Sequence, residues 1–182
     1  MQFQKITPSP TGSFKLVASM FLLFSALSFF AVSSHAQGPQ GKSFGFGLIV
    51  GDPLGATVKY WPSASNALVI DVGGSYFGSP RVDVDYLFNF NAFRSDVVTM
   101  YAGPGLAVGF GQGNTIFYKR DGEKFYVREG TTSGVAARVI FGLNIIPRNS
   151  PIELFLEAGP LIGISPGFGV AMDAGLGIRF YP

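Results

Sequence analysis

Val97-Val98-Thr99-Met100-Tyr101-Ala102-Gly103-Pro104-Gly105-Leu106-Ala107-Val108-Gly109 is the stretch that decides the fold. Val98, Met100, Ala102, Pro104, Leu106 and Val108 share one parity, while Thr99, Tyr101, Gly103, Gly105 and Gly109 share the other. A two-residue period is that of a β-strand. One unbroken apolar face opposite a small or polar one, at this length, fits the wall of a transmembrane β-barrel, where about 9–11 tilted residues cross the bilayer.

Outward from this stretch, eight segments alternate with turn signals near 43–50, 54–61, 67–77, 81–90, 97–110, 131–145, 152–164 and 168–181. In the fourth, Val82, Val84, Tyr86, Phe88 and Phe90 interleave with Arg81, Asp83, Asp85, Leu87 and Asn89. A one-residue slip of register would turn those carboxylates onto the apolar face. The sixth and eighth repeat the pattern: Val135, Ala137, Val139, Phe141 and Leu143 oppose Arg138, Gly142 and Asn144, and Met172, Ala174, Leu176, Ile178 and Phe180 oppose Asp173, Gly175, Gly177 and Arg179.

A soluble barrel also alternates, with its apolar face inward. Two features decide against it. The non-apolar parity is rich in glycine (Gly73, Gly103, Gly105, Gly109, Gly142, Gly159, Gly175, Gly177) and sparsely charged, which suits the narrow interior of an eight-stranded barrel better than a wetted surface. Aromatic pairs close three of the segments (Tyr60/Trp61, Phe88/Phe90, Phe180/Tyr181), as expected of interfacial girdles. The expected fold is all-β, an eight-stranded antiparallel transmembrane β-barrel after an N-terminal signal peptide. Gly51-Asp52-Pro53, Gly78-Ser79-Pro80, 111–130 and Ser165-Pro166-Gly167 are expected to face outward, and 62–66, 91–96 and 146–151 the periplasm.

The signal peptide is read from Lys5 and Lys15, the apolar run Leu16 to Val32, and Ser34-His35-Ala36, with cleavage after Ala36. Residues 1–36 form the signal peptide and 37–182 one barrel domain, exported to the bacterial outer membrane. Removing Lys5 and Lys15 leaves basic and acidic residues equal at eleven each, so the chain offers no basic field and no nucleic acid is expected as a partner. Cysteine is absent, which excludes disulfides, thiolate chemistry and a lipidated N-terminal cysteine.

The sole histidine, His35, lies in the signal peptide, so Ser-His, Asp-His and Cys-His hydrolases and zinc sites with nitrogen or sulfur ligands are removed. Glu153 and Glu157 are the best remaining carboxylate pair, yet four residues along a strand is ~13 Å, too far for joint acid–base work. A lumen charge network is the stronger reading: Lys59, Arg138 and Arg179 share the inward parity with Asp71, Asp83, Asp85, Glu153, Glu157 and Asp173. Gly41-Lys42-Ser43 resembles the end of a phosphate loop, but Ala36 stands where the first glycine is required, and the segment reads as a linker.

The chain is therefore expected to be no enzyme and to need no cofactor or metal. Its expected role is structural or surface-interacting, with a plugged lumen. The alternative is a narrow cation-favouring channel, because six inward acidic residues exceed three basic ones. An apolar-cavity transporter or lipid-modifying enzyme fits less well, since the lumen face has neither a large apolar pocket nor a histidine.

One segment exceeds what barrel closure needs. Phe117, Tyr118, Lys119, Arg120, Lys124, Phe125 and Tyr126 flank Asp121-Gly122, a type I′ turn signal, so the strands around 111–130 are expected to continue as a projecting surface hairpin. Exposed aromatics with mixed charge offer a patch for an extracellular ligand or a host or cell-surface partner.

Several motifs taken together resemble a known family: Gly51-Asp52-Pro53-Leu54-Gly55 with Lys59-Tyr60-Trp61, then Asp83-Val84-Asp85-Tyr86-Leu87, Tyr101-Ala102-Gly103, Pro151 to Glu157, and Gly177-Ile178-Arg179-Phe180-Tyr181. In order and spacing they are similar to small OmpA-like outer-membrane β-barrels of unknown function, first described from spirochaetes. The resemblance covers nearly all of 37–182. It implies an eight-stranded barrel in contact with outer-membrane lipid and supplies no catalytic residues. Such chains usually finish on an aromatic residue, whereas Pro182 follows Phe180-Tyr181 here. The resemblance thus implies recognition by the barrel-insertion machinery through an internal aromatic.

Overall fold

A computed structural model describes residues 38–111, 113–117, 126–130, 134–165 and 168–182. The expected signal peptide and Tyr118, Lys119, Arg120, Asp121, Gly122, Lys124 and Phe125 of the hairpin lie outside the described residues. A single 3-10 turn (Pro39–Gly41) precedes ten strands: β1 (Phe44–Gly51), β2 (Leu54–Tyr60), β3 (Asn66–Ser75), β4 (Gly78–Phe90), β5 (Val98–Gly109), β6 (Gly113–Phe117), β7 (Tyr126–Gly130), β8 (Gly134–Ile145), β9 (Ile152–Ser165) and β10 (Gly169–Phe180).

Eight strands close into a barrel in the order β1-β10-β9-β8-β5-β4-β3-β2, all neighbours antiparallel, with β1 and β10 completing the ring through Phe46 opposite Phe180 and Val50 opposite Leu176. Closure leaves no barrel edge unpaired, which is the physical gain of the design. Both described ends of the chain and the connections at 61–65, 91–97 and 146–151 lie at one mouth, called proximal below; the turns at 52–53 and 76–77, with the end of β9 at Ser165 and the start of β10 at Gly169, lie at the distal mouth.

The hairpin forms as β6 and β7, pairing Gly113 with Gly130 through Phe117 with Tyr126 as a separate two-stranded sheet. β6 passes within 8 Å of both β4 and β10, measured between Cα atoms, at the distal mouth.

One turn falls earlier than expected. Tyr76-Phe77 makes the reversal, and Gly78-Ser79-Pro80 already belong to β4. The register shifts there, between Gly73 opposite Arg81 and Ser75 opposite Gly78. Pro80, which has no amide to donate, falls at this bulge, where a strand tolerates proline. The shift also lets Phe77 fold back into the barrel, where it is buried with Ala107, Ala136, Leu161 and Ala171.

Alternation sorts the side chains as expected. Leu48, Leu106, Leu156 and Leu176 are each more than half exposed on the outside, while Ile49, Ala107, Phe155 and Leu161 are buried inside. A second interior cluster of Trp61, Ala67, Val69, Leu87, Tyr101, Ile140 and Tyr181 fills the proximal side. Glycine supplies its space: a Cβ at Gly45 would lie 2.6 Å from the Tyr181 ring, and one at Gly142 would collide with the Tyr101 ring.

Candidate functional site

Parity alone brings the charged residues together, because all of them lie on inward positions, spread over β2, β3, β4, β8, β9 and β10. At the proximal side Lys59 Nζ on β2 sits 3.0 Å from Glu153 Oε1 on β9, and Arg179 Nη1 on β10 donates to the same oxygen at 2.8 Å. Arg179 is the register partner of Glu153. Its Nε and Nη2 donate to Thr57 Oγ1 at 3.0 and 2.8 Å, and its guanidinium stacks 3.7 Å from the centre of the Phe155 ring. Lys59 also donates to Asn144 Oδ1 at 3.3 Å and lies 4.3 Å from the centre of the Trp61 ring. The remaining oxygen of Glu153 accepts from the Tyr181 hydroxyl, which in turn accepts from Trp61 Nε1 at 3.0 Å.

Trp61 and Tyr181 therefore correct the girdle expectation. They are 3% and 1% exposed, inside the lumen, whereas Tyr60, Phe88, Phe90 and Phe180 do lie on the outer face. Each buried one follows an outward aromatic by one residue, which puts it on the inner parity. Burial, with Glu153 beside it, pushes the Tyr181 hydroxyl above its ordinary pKa, so it remains a donor. Trp61 also lines a recess of about 500 Å³ at the proximal mouth, together with Asn89, Asp96 and Arg148.

Toward the distal side, Arg81 on β4 and Arg138 on β8 face Asp83, Asp85, Glu157 and Asp173. Arg81 Nε donates to Asp83 Oδ1 at 2.7 Å and its Nη2 to Asp173; Arg138 Nη1 donates to the other Asp83 oxygen, and its Nη2 to Glu157 Oε1 at 3.3 Å. Arg138 Nε and Asp85 Oδ1 form a 3.3 Å ion pair without hydrogen-bond geometry. Tyr101 donates to Glu157 Oε2 at 2.8 Å, and Tyr76 to Asp173 Oδ1 at 2.8 Å. In the β1–β2 turn, partial burial pushes Asp52 above the ordinary carboxylate pKa, while a hydrogen bond with Ser75 and the charge of Arg81 pull the other way.

All nine charged residues expected in the lumen are inside and no more than 4% exposed. Asp71 differs from the others in lying outside every ion pair within the described residues; its neighbour across the β2–β3 pairing is the Thr57 hydroxyl. Arg81 completes the set and corrects the charge count to four bases against six acids. Its signal was present, since it shares the inward parity of Asp83 and Asp85. Glu153 and Glu157 belong to different clusters, one on Lys59 and Arg179 and the other on Arg138 and Tyr101, so they do not form a carboxylate pair.

The crystal structure of the N-terminal β-barrel domain of Pseudomonas aeruginosa OprF is similar to this fold, with a TM-score of 0.54 and 16% identity over 76% of this chain and 96% of that one. No family model matches the chain, and no curated protein does. The likeness to the family first described from spirochaetes therefore rests on the sequence motifs alone. What the barrel and this likeness establish together is a closed, eight-stranded antiparallel β-barrel fold with a buried ionic network in its interior.

Proposed function

We propose that this chain is a non-enzymatic integral protein of the bacterial outer membrane, with a plugged lumen and a structural or surface-interaction role. The observation that carries the reading is the inversion of the two faces. Ten charged side chains lie buried inside, while Leu48, Leu106, Phe141, Leu156, Met172 and Leu176 are among large apolar residues exposed around the outside. Water rarely tolerates a contiguous apolar patch beyond a few hundred Å², whereas a bilayer requires an apolar belt. In this reading residues 1–36 are a cleaved signal peptide, insertion machinery places the barrel, and Phe46, Phe90 and Phe180 lie toward the periplasmic interface.

Two measurements test it together. The protein should sediment with outer membranes, and unheated and boiled samples should migrate differently on SDS gels because a closed barrel resists detergent. Soluble periplasmic protein with identical migration would overturn the reading.

With the proximal mouth in the periplasm, the hairpin is at the cell surface, where it would meet an extracellular ligand or a host or cell-surface partner. Trypsin on intact cells should then cut at Lys119, Arg120 or Lys124 and spare the barrel. Cleavage only at Arg94 or Arg148 would invert the topology. A narrow cation-favouring channel is the second reading, favoured by six interior acids against four bases. Planar-bilayer recording separates the two, since the plugged barrel gives no steady conductance.

A further inference from the structure

The lumen is sealed near both mouths, and the two seals are built differently. On the proximal side Trp61 and Tyr181 are held from within, by hydrogen bonds that end on Glu153 and by Lys59 against the Trp61 ring. At the distal mouth the seal is a turn. Tyr76 and Phe77 join β3 to β4, and Phe77 enters the barrel against Ala107 on β5, Ala136 on β8, Leu161 on β9 and Ala171 on β10, with Tyr76 packed over the same cluster. The Tyr76 hydroxyl reaches β10, where it donates to Asp173 Oδ1 at 2.8 Å and lies 3.2 Å from the Met172 carbonyl oxygen. A turn rooted in β3 thus meets a strand three places away around the ring.

The root of the turn is fixed, while the socket offers little grip. Ser75 Oγ accepts from the Phe77 amide and from Arg81 Nη1, both at 3.0 Å, which ties the base of the turn to β4. Beside it, Gly74 sits at the register shift, and a Cβ there would meet only Ser79 Oγ, at 3.6 Å, so the backbone has room to rotate. Alanine and glycine wall the socket: a Cβ at Gly109 or at Gly134 would stand 3.0 Å from an atom of the Phe77 ring. The Arg81 guanidinium is 5.8 Å from the ring centre, at the limit of cation–π reach. The bond from Tyr76 to Asp173 is therefore the strong directional tie at the free end of the turn.

We propose that the Tyr76–Phe77 turn is a strap that opens the distal mouth, with Tyr76 as its latch on Asp173, Phe77 as its stopper and the bulge at Gly74 as its hinge. Closed, it keeps water off the distal ion pairs. Open, it admits water and small solutes as far as Arg81 and Asp173, while the Trp61–Tyr181 seal stays in place. Local opening of this kind draws on a small element with few tertiary ties, which a two-residue turn is. The strap goes beyond both readings of the lumen, and it works whichever side of a membrane the distal mouth faces.

The chain has no cysteine, so a thiol placed in the socket reports the strap without background. Ala171→Cys puts one beside Phe77, and its rate of reaction with methyl methanethiosulfonate is followed by mass in the purified, folded barrel. Behind the closed strap the thiol should react far more slowly than in denatured protein. Adding Tyr76→Phe keeps both rings and removes only the latch hydroxyl; it should raise the rate about tenfold or more, the factor by which one lost charge-assisted hydrogen bond shifts an opening equilibrium. Adding Phe77→Ala instead should bring the rate toward that of denatured protein. A thiol at Ala67→Cys, in the proximal cluster, is the reference and should stay slow in every background. A rate unmoved by Tyr76→Phe overturns the proposal, because Phe77 is then a fixed wall, and so does a thiol that stays slow in Phe77→Ala. An equal rise at Ala67→Cys also overturns it, since the whole barrel would then be loosening. Should Ala171→Cys fail to fold, Ala107→Cys on the β5 side of the socket takes its place in the same comparison.

Discussion

The two sides of the lumen each hold two cations and handle the excess charge differently. On the proximal side Lys59 and Arg179 share a single carboxylate, Glu153, yet the surplus positive charge is absorbed: Thr57 and Asn144 accept hydrogen bonds, and Trp61 and Phe155 present ring faces. On the distal side Arg81 and Arg138 face Asp83, Asp85, Glu157 and Asp173, with Asp71 nearby, and the neutral groups that meet the surplus negative charge are the hydroxyls of Tyr101 on Glu157 and Tyr76 on Asp173. One oxygen of Asp85 lacks a hydrogen bond, and so does Arg138 Nε. A π face can soak up a cation and cannot soak up an anion. The proximal cluster is thus balanced by ring faces and neutral acceptors, and the distal one by hydroxyl donors around an excess of carboxylates.

The largest test of that contrast is a pair of substitutions. Glu153→Gln removes the only carboxylate from between two buried cations and should destabilise the barrel by about 3–5 kcal/mol, the usual cost of breaking a buried pair from one side. Asp85→Asn relieves an already acidic cluster and should cost less than about 1 kcal/mol, well under a broken pair. Urea midpoints of the heat-modifiable band measure both. Equal losses would break the contrast.

The inside-out pattern is tested next. Leu156 on β9 is 54% exposed and lies in register with Leu176 near mid-strand. Leu156→Arg should cost ~2–4 kcal/mol if that face meets hydrocarbon. In a water-exposed barrel the same change would be close to neutral. Asn144→Arg is no harmless inward control, because Asn144 is buried between Lys59 and Asn89 and a third cation would enter the proximal cluster.

Most of the barrel was legible because a two-residue period is local. Val98 to Gly109 fixes its own inward and outward faces with no knowledge of its neighbours, and the nine inward charges followed from parity alone. What parity cannot give is depth and partner choice. Nothing local says that Trp61 and Tyr181 bond to each other 120 residues apart, or that Asp71 is the acid left over. The bulge at Gly74 was hidden because Gly78-Ser79-Pro80 carries the composition of a turn, and only pairing with β3 and β5 makes it strand. The hairpin was legible as a pairing, whereas the approach of β6 to β4 and β10 depends on packing beyond the hairpin itself.

Tyr181→Phe sharpens the account of the proximal side. The change removes a charge-assisted bond to Glu153 and the acceptor of Trp61 Nε1, while Gly45 keeps the ring's space. A loss of about 1.5–3 kcal/mol is expected. Trp61 is the only tryptophan, so its emission reports the site directly and should change in the folded variant. Unchanged emission with unchanged stability would mean that the hydroxyl chain does not hold the plug.

The smallest effect belongs to the ion pair outside the lumen. Arg148 Nη2 lies 2.6 Å from Asp96 Oδ2, closer than Lys59 to Glu153, but its two side chains are 70% and 76% exposed. Water already solvates both charges and salt screens them, so Asp96→Asn should change stability by about 0–1 kcal/mol, less at high ionic strength. Set beside Glu153→Gln, it separates geometry from burial: distance alone would rank the rim pair first, and desolvation ranks it last. A loss at Asp96 rivaling that at Glu153 would mean that the proximal recess, which both Asp96 and Arg148 line, is a structural part of the plug rather than its open mouth.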